Sequence, residues 1–219
     1  MRKKILAAVA VMTFLLVGLL VVVAVQPDEF TISRSATMAA PPEEVFAQVN
    51  DFHNWEAWSP WAKLDPDSTA EYSGPESGKG AAFSWSGNSE VGEGTMTILE
   101  SRPHELIRIN LEFTRPFADT STAEFTFRPE GDQTVVTWSM MGQNSFIEKG
   151  FCLLMDMDEM LGEKFNEGLA SMKAIVEADA AGPAGPDADA ETSETGAAAI
   201  DGDSGNSESA ADDTPPAAD

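Results

Sequence analysis

An uncharged apolar run extends from Ile5 to Val25, directly after Met1-Arg2-Lys3-Lys4. As a helix, at about 1.5 Å per residue, it spans roughly 30 Å, the thickness of a bilayer's hydrocarbon core. No polar face interrupts it, which sets it apart from a core helix of a soluble protein. A cleaved signal has an apolar region of only about 7–15 residues and a small-x-small cleavage site. Here the run is longer, and Ala24-Val25-Gln26 puts Gln where a small residue belongs. Residues 1–26 are therefore read as an uncleaved signal anchor, one transmembrane helix. Arg2, Lys3 and Lys4 are expected to stay cytoplasmic, which places the remainder on the periplasmic or extracytoplasmic side of the inner membrane.

The other end has the opposite character. From Ala181 to Asp219 there is no Lys, Arg or aromatic residue, and Ile200 is the only large apolar one. Such a segment cannot bury enough surface to offset the entropy of ordering, so residues 181–219 are expected to be a disordered acidic tail. Asp201-Gly202-Asp203-Ser204-Gly205-Asn206 has some calcium-loop character. It lacks Gly at the sixth position, however, and has Asp212 where a Glu belongs at the twelfth.

Charge and cysteine content exclude further classes. The chain carries 13 Lys+Arg against 37 Asp+Glu, a formal charge of −24. Phosphate binding needs clustered cations, so nucleic acid is not an expected partner. A single cysteine, Cys152, excludes an intrachain disulfide and a cysteine-based zinc cage. With only His53 and His104 besides, no metal site and no cofactor are expected.

Residues 27–180 form the expected domain. Phe30 to Met38 reads as a strand, and Pro41-Pro42-Glu43-Glu44-Val45-Phe46 as a helix entry with prolines first and acids in the opening turn. A second short helix is expected over Asp51 to Trp58. Six strands follow: Ala70–Ser73, Ala81–Ser86, Glu93–Glu100, Glu105–Phe113, Thr120–Arg128 and Thr134–Met141. Period-two alternation is clear where Ile107, Ile109, Leu111 and Phe113 interleave with Arg108, Asn110 and Glu112. Short Gly/Pro connections favour antiparallel neighbours. Phe151, Leu154, Met157, Leu161, Phe165, Leu169, Met172 and Val176 recur in steps of three and four, which predicts one long amphipathic helix from Ser145 to about Ala178. Gly150, Gly162 and Gly168 each weaken it by roughly 1 kcal/mol relative to Ala, so it depends on packing against the sheet. The order of elements is that of a layered α+β domain. A seven-stranded antiparallel sheet must twist and curl, and a helix held in the curl leaves room for an apolar molecule.

Several segments carry a family resemblance. Ala39-Ala40-Pro41-Pro42-Glu43-Glu44-Val45-Phe46 and Asn50-Asp51-Phe52-His53-Asn54-Trp55-Glu56-Ala57-Trp58-Ser59-Pro60-Trp61 come first. Tyr72-Ser73-Gly74-Pro75, Phe83 to Asn88, Val91 to Gly94 and Ala123 to Phe127 follow in order. Together, from about Phe30 to Glu177, they resemble the START-like (SRPBCC) superfamily, and within it the bacterial polyketide cyclase/dehydrase-type members. The resemblance implies a helix-grip fold with a ligand cavity and no fixed catalytic set. Such domains include lipid carriers, hormone receptors and cyclases, so fold alone does not give function.

The residues assigned to the hollow are Phe83, Trp85, Met96, Ile109, Leu111, Phe125, Phe127, Trp138 and Met155. Aromatic walls of this kind suit flat or acyl ligands, although large aromatics also simply fill cores. Trp55, Trp58 and Trp61 are read as packing. Asp51 and His53 are the nearest thing to an acid/base pair. At a spacing of two they should point apart on a helix, with Asp51 as an N-cap and His53 on the surface. Glu93 and Glu124 are read as exposed strand carboxylates, with Arg108 and Arg115 either as their partners or as contacts for an anionic ligand head. Gly74 to Gly80 is one residue short of a phosphate loop and lacks Ser/Thr after Lys79. Cys152 reads as a buried apolar residue, and Met155, Met157 and Met160 as adaptable filling or a lid.

These observations favour a membrane-anchored module that binds a hydrophobic small molecule or lipid between sheet and C-terminal helix. A cyclase/dehydrase-like enzyme and a non-catalytic envelope scaffold are the alternatives. Between Pro27 and Ala178 ten basic residues face 26 acidic ones. Self-repulsion of that size is relieved by screening. The melting temperature should therefore rise from low to molar salt, and a flat profile would remove this reading.

Overall fold

The computed structural model describes residues 1–153 and 155–180. The acidic segment 181–219, Leu154, and the side chains of Phe151 and Cys152 lie outside the described residues. Helix α1 (Arg2–Ala24) precedes strand β1 (Glu29–Met38), helix α2 (Pro42–Asn50), a single 3-10 turn (Phe52–Asn54) and helix α3 (Trp55–Trp58). Six strands follow: β2 (Thr69–Ser73), β3 (Ala82–Ser86), β4 (Glu93–Arg102), β5 (Leu106–Arg115), β6 (Asp119–Glu130) and β7 (Gln133–Gln143). Helices α4 (Phe146–Cys152) and α5 (Met157–Ala180) are the last elements among the described residues. Helix α1 is apolar on all sides and long enough to cross a bilayer.

The seven strands form one antiparallel sheet in the order β1-β7-β6-β5-β4-β3-β2. Sequential hairpins account for β2 to β7, and β1 adds to the free edge of β7. Sheet and helices make the helix-grip fold, with α5 lying on the concave face of a curved sheet. Between β4 and β5 the register shifts at Glu93/Gly94 and again between Ile98 and Glu100. The second irregularity leaves Leu99 without a partner and exposed. Bulges of this kind bend a strand and increase its twist, which helps the sheet curl.

Alternation divides the sheet into two faces. On the concave side, register aligns Ile107, Phe125, Trp138 and Arg34 in one row. The next row is Ile98, Ile109, Ala123, Met140 and Ile32. A third runs Phe83, Met96, Leu111, Ser121, Gly142 and Phe30. On the outer side Arg108 donates to Glu124 at 2.8 Å and to Glu100 at 2.7 Å, and Arg115 pairs with Glu93 at 2.8 Å. The strand carboxylates thus face away from the core, as their alternation requires.

The C-terminal segment departs from the single helix expected over residues 145–178. It is two helices, α4 ending at Cys152 and α5 starting at Met157, because a cap at Asp156 competes with continuity. Ser145 and Glu148 form a reciprocal box: the Ser145 N–H donates to Glu148 Oε2 at 2.6 Å, and the Glu148 N–H to Ser145 Oγ at 3.3 Å. Asp156 then starts α5, its Oδ1 accepting from the Glu159 N–H at 3.0 Å. An N-cap residue holds non-helical dihedrals, so a strong cap inside a periodic stripe divides the helix.

Contacts along β1 locate α5. The Arg34 guanidinium donates to the Asp158 carboxylate and to the Asp158 carbonyl, each at 2.9 Å. This bonding holds the Asp158 carboxyl below the usual carboxylate range. Further on, Lys173 donates to the Thr37 carbonyl at 2.8 Å, and the Ala39 N–H donates to Glu177 at 2.7 Å. Helix α5 therefore begins level with the middle of β1 and runs toward its Met38 end. Of the rows level with Glu29–Ser33, the one through Ile32, Ile98 and Ile109 is still buried, while Phe30, Phe83 and Leu111 of the next are only half-buried.

Close approach explains the glycines. A Cβ on Gly162 would run into the Arg34 guanidinium, and one on Gly168 would sit 3.0 Å from both the Trp138 ring and Pro60. Gly150 in α4 has open space where a Cβ would go. Gly150→Ala should thus stabilise the chain by up to about 1 kcal/mol through helix propensity. Gly168→Ala should lose that gain to overpacking, which costs roughly 1–3 kcal/mol. Chemical denaturation of the full chain in detergent distinguishes the two, and equal stabilisation would refute the close approach.

Candidate functional site

The nine residues assigned to a hollow fall into separate groups. Ile109, Phe125, Phe127 and Trp138 are buried, Phe125 against Trp55 and Trp58 of α3, Trp138 against Phe165 of α5 and Phe127 against Phe46 of α2. Here the space between helix and sheet is filled by rings. Phe165 of α5 stacks on Trp138 at 4.2 Å between centroids, and Phe125 stacks on its other side at 4.9 Å. Trp55 and Trp58 meet each other at 4.6 Å and make T-shaped contacts with Phe125 and Trp138. The tryptophans read as packing, Trp55 and Trp58, occupy the place where the alternation of the strands predicts room for a ligand.

Phe83, Trp85 and Leu111 are only half-buried, and Met96 sits between them in the sheet. Trp85 lies parallel to Phe83 at 6.1 Å and meets Phe113 in a T-shaped contact at 5.6 Å. The floor beside them is made of small residues, Gly94, Ser121 and Gly142. The Trp85 ring crosses Gly94 and the Phe30 ring crosses Gly142, so a Cβ at either glycine would meet a ring. Met155, the ninth residue, lies in the break between α4 and α5 and is 48% exposed.

Phe113, Met140 and Phe30 join this wall without having been singled out from the sequence. Phe113 was within reach, since it continues the alternation of Ile107, Ile109 and Leu111. Met140 and Phe30 required the register of β6, β7 and β1, which no local pattern specifies.

Three of the tryptophan N–H groups have partners: Trp55 donates to Val49, Trp58 to Gln48 and Trp85 to Val91, all to backbone carbonyls. Trp138 Nε1 does not. Among the described residues it is the buried side-chain polar atom without a hydrogen-bond partner. Such an orphan costs about 1–3 kcal/mol, and a buried acceptor supplied from outside the chain would remove the cost.

The polar candidates gather elsewhere. Asp51 accepts the His53 N–H at 2.9 Å as a cap, as expected, and its Oδ1 also lies 2.7 Å from His53 Nδ1. The expectation that the two side chains point apart fails because the turn is a tight 3-10 turn that folds His53 back over its cap. The imidazole stacks on Tyr72 at 4.0 Å. Burial, then the charges of Glu56 and Asp51, push the Tyr72 phenol up. His53, Tyr72 and Glu76 border a shallow cleft of about 90 Å³ beside β2, with Phe52 at its base. Phe83 adjoins it, 5.2 Å from Tyr72. His104, with a positive φ of 63°, lies in its turn against Phe46 and Glu43.

Comparison with known proteins agrees with this architecture. Residues 29–177 match the family described as polyketide cyclase / dehydrase and lipid transport. The chain belongs to this family. Two solved structures of similar fold are a Mesorhizobium loti protein, MLL2253, and a Thermus thermophilus protein, TTHA0849. The first is 13% identical with a TM-score of 0.51, covering 68% of this chain and 98% of that one. The second is 17% identical with a TM-score of 0.51, covering 68% of this chain and 99% of that one. No curated protein sequence matches the chain. At these identities the likeness is one of fold, while family membership makes the domain a ligand-binding module of helix-grip type.

The orphan N–H gives a direct test of the filled half. Trp138→Ala should cost about 3–5 kcal/mol, as a large cavity does. Trp138→Phe should cost less than about 1.5 kcal/mol, because losing the unpaired donor returns part of the lost packing. Equal losses in urea titrations would mean that the N–H is satisfied after all.

Proposed function

We propose that this chain is a membrane-anchored binding module that holds a hydrophobic small molecule or a lipid against the open half of its concave wall. The observation that carries the reading is the half-buried set of Phe83, Trp85 and Leu111 on neighbouring rows of the concave face, beside Phe113 and Met140. A curved wall of aromatic and aliphatic groups with a small-residue floor suits an acyl chain or a flat ring system. Ile109, Phe125, Phe127 and Trp138 form its packed end. Helix α1 would keep the module beside a source of apolar ligand, with the domain on the extracytoplasmic side of the inner membrane.

The enzyme alternative has one observation in its favour, the Asp51–His53 pair at the Tyr72 cleft. A carboxylate that orients an imidazole is an arrangement used for proton transfer. The cleft is too small for a polyketide-like substrate, however, and the wall beside it is apolar. Binding without chemistry is the better-supported reading.

Native mass spectrometry of the full chain, released gently from detergent, tests it. Because α1 itself retains lipid, the comparison is with Leu111→Trp, which fills the wall. The parent should carry one tightly held apolar molecule that Leu111→Trp loses by at least tenfold in occupancy. Equal adducts in both, or none in either, would favour the scaffold reading.

A further inference from the structure

A second apolar surface lies at one end of the sheet. Register brings the start of β1 at Glu29, the end of β7 at Gln143 and the β5–β6 turn at residues 116–118 to that end. Helix α1 enters there. Only Val25–Asp28 separate α1 from β1, and four extended residues reach at most about 14 Å. The connection is not slack. The Asn144 N–H donates to the Asp28 carbonyl at 2.7 Å, and the Asn144 side-chain amide to the Pro27 carbonyl at 3.2 Å. Lys149 of α4, 7% exposed, pairs with the Asp28 carboxylate. Val23 in the last turn of α1 is buried, and α1 and α4 are in contact. Helix α4 is therefore tied to the foot of α1.

Around that foot the chain exposes large apolar side chains from separate segments. Phe117, at the tip of the β5–β6 turn, is 69% exposed, and Ile147 of α4 is 66% exposed. Phe146, Met155, Met157 and Met160 are exposed as well. Isolated apolar side chains on a surface are ordinary, but a convergence of turn, helix and helix start is not.

We propose that this end of the domain docks into the bilayer surface, with α4 lying in the interface plane and Phe117, Phe146 and Ile147 immersed among the lipids. The inference rests on the reading of α1 as a transmembrane anchor. Given that reading, the short, bonded connection leaves no other place for this end, since the headgroup layer adds only about 5–8 Å beyond the hydrocarbon on each side. An apolar helix face in that layer sinks about 5–10 Å into the headgroup/acyl boundary. The rim is acidic, with Asp119 at the start of β6 and Glu148 in α4, so apolar insertion holds the surface down and anionic headgroups oppose it. The open wall around Trp85 and Phe113 lies at the same end of the sheet, which gives a ligand a short path from membrane to domain.

Spin labels on the full chain in phosphatidylcholine vesicles test the proposal. In a Cys152→Ser background, Phe117→Cys and Ile147→Cys report the surface. Asp132→Cys reports the far end of the sheet, and Leu15→Cys the middle of α1. Labels at positions 117 and 147 should collide with oxygen severalfold more than with a water-soluble nickel chelate, and the label at 132 should do the reverse. Labels at 117 and 147 that behave like the one at 132, while the label at 15 is lipid-immersed, would overturn docking and leave the anchor standing. A label at 15 in water would overturn the anchor and docking together. Dipolar broadening between labels at 147 would mean that a second copy covers the surface, which also overturns the proposal. Quenching of Phe117→Trp by brominated lipid, measured beyond that of the parent and against Asp132→Trp, gives the same answer without altering Cys152.

Discussion

The stack of Phe165 on Trp138 governs the rest of the molecule. Helix α5 has Gly162 and Gly168 in its interior, and its stability in isolation would be poor. The same two glycines let it descend until its backbone touches the Arg34 guanidinium, Pro60 and the Trp138 ring. Trp55, Trp58 and Phe125 then close around that contact. Burial of so much ring surface in one layer holds a helix whose own propensity is weak. Arg34, bonded to Asp158 above and aligned with Trp138 in the sheet, sets where along β1 the helix begins.

A consequence is that the grip is asymmetric. One end of the concave face is packed solid, while the other retains half-buried Phe83, Trp85 and Leu111 over a floor of Gly94, Ser121 and Gly142. The packed end provides rigidity and the open end provides surface. The open end is also where α1 joins the domain through Asp28, Asn144 and Lys149. Rigidity, apolar exposure and the connection to the apolar helix are therefore arranged along a single axis, from the Met38 end of β1 to its Glu29 end.

Much of this was readable from residue order. Alternation along β5 and β6 identified their inner faces and put Glu124 and Arg108 outside, because a strand's side-chain period admits no other arrangement. The helix entry at Pro41-Pro42 and the cap at Asp51 were equally plain. The interruption between α4 and α5 was not, since the apolar stripe continues through it and only the cap at Asp156 divides it. The contact between Asp51 and His53 was missed for a similar reason: an ideal helix separates these positions, and the 3-10 turn brings them together.

Sequence alone determined the apolar N-terminal helix, the seven strands and the inward side chains of β5 and β6, because these depend on composition and on periods of two and 3.6 residues. Tertiary structure decided which inward residues were to be core and which were to remain as wall. That outcome depends on where α5 begins along β1 and on how deeply two glycines let it sink. Both are set by contacts between residues more than a hundred positions apart, such as Arg34 with Asp158, and no local pattern carries them.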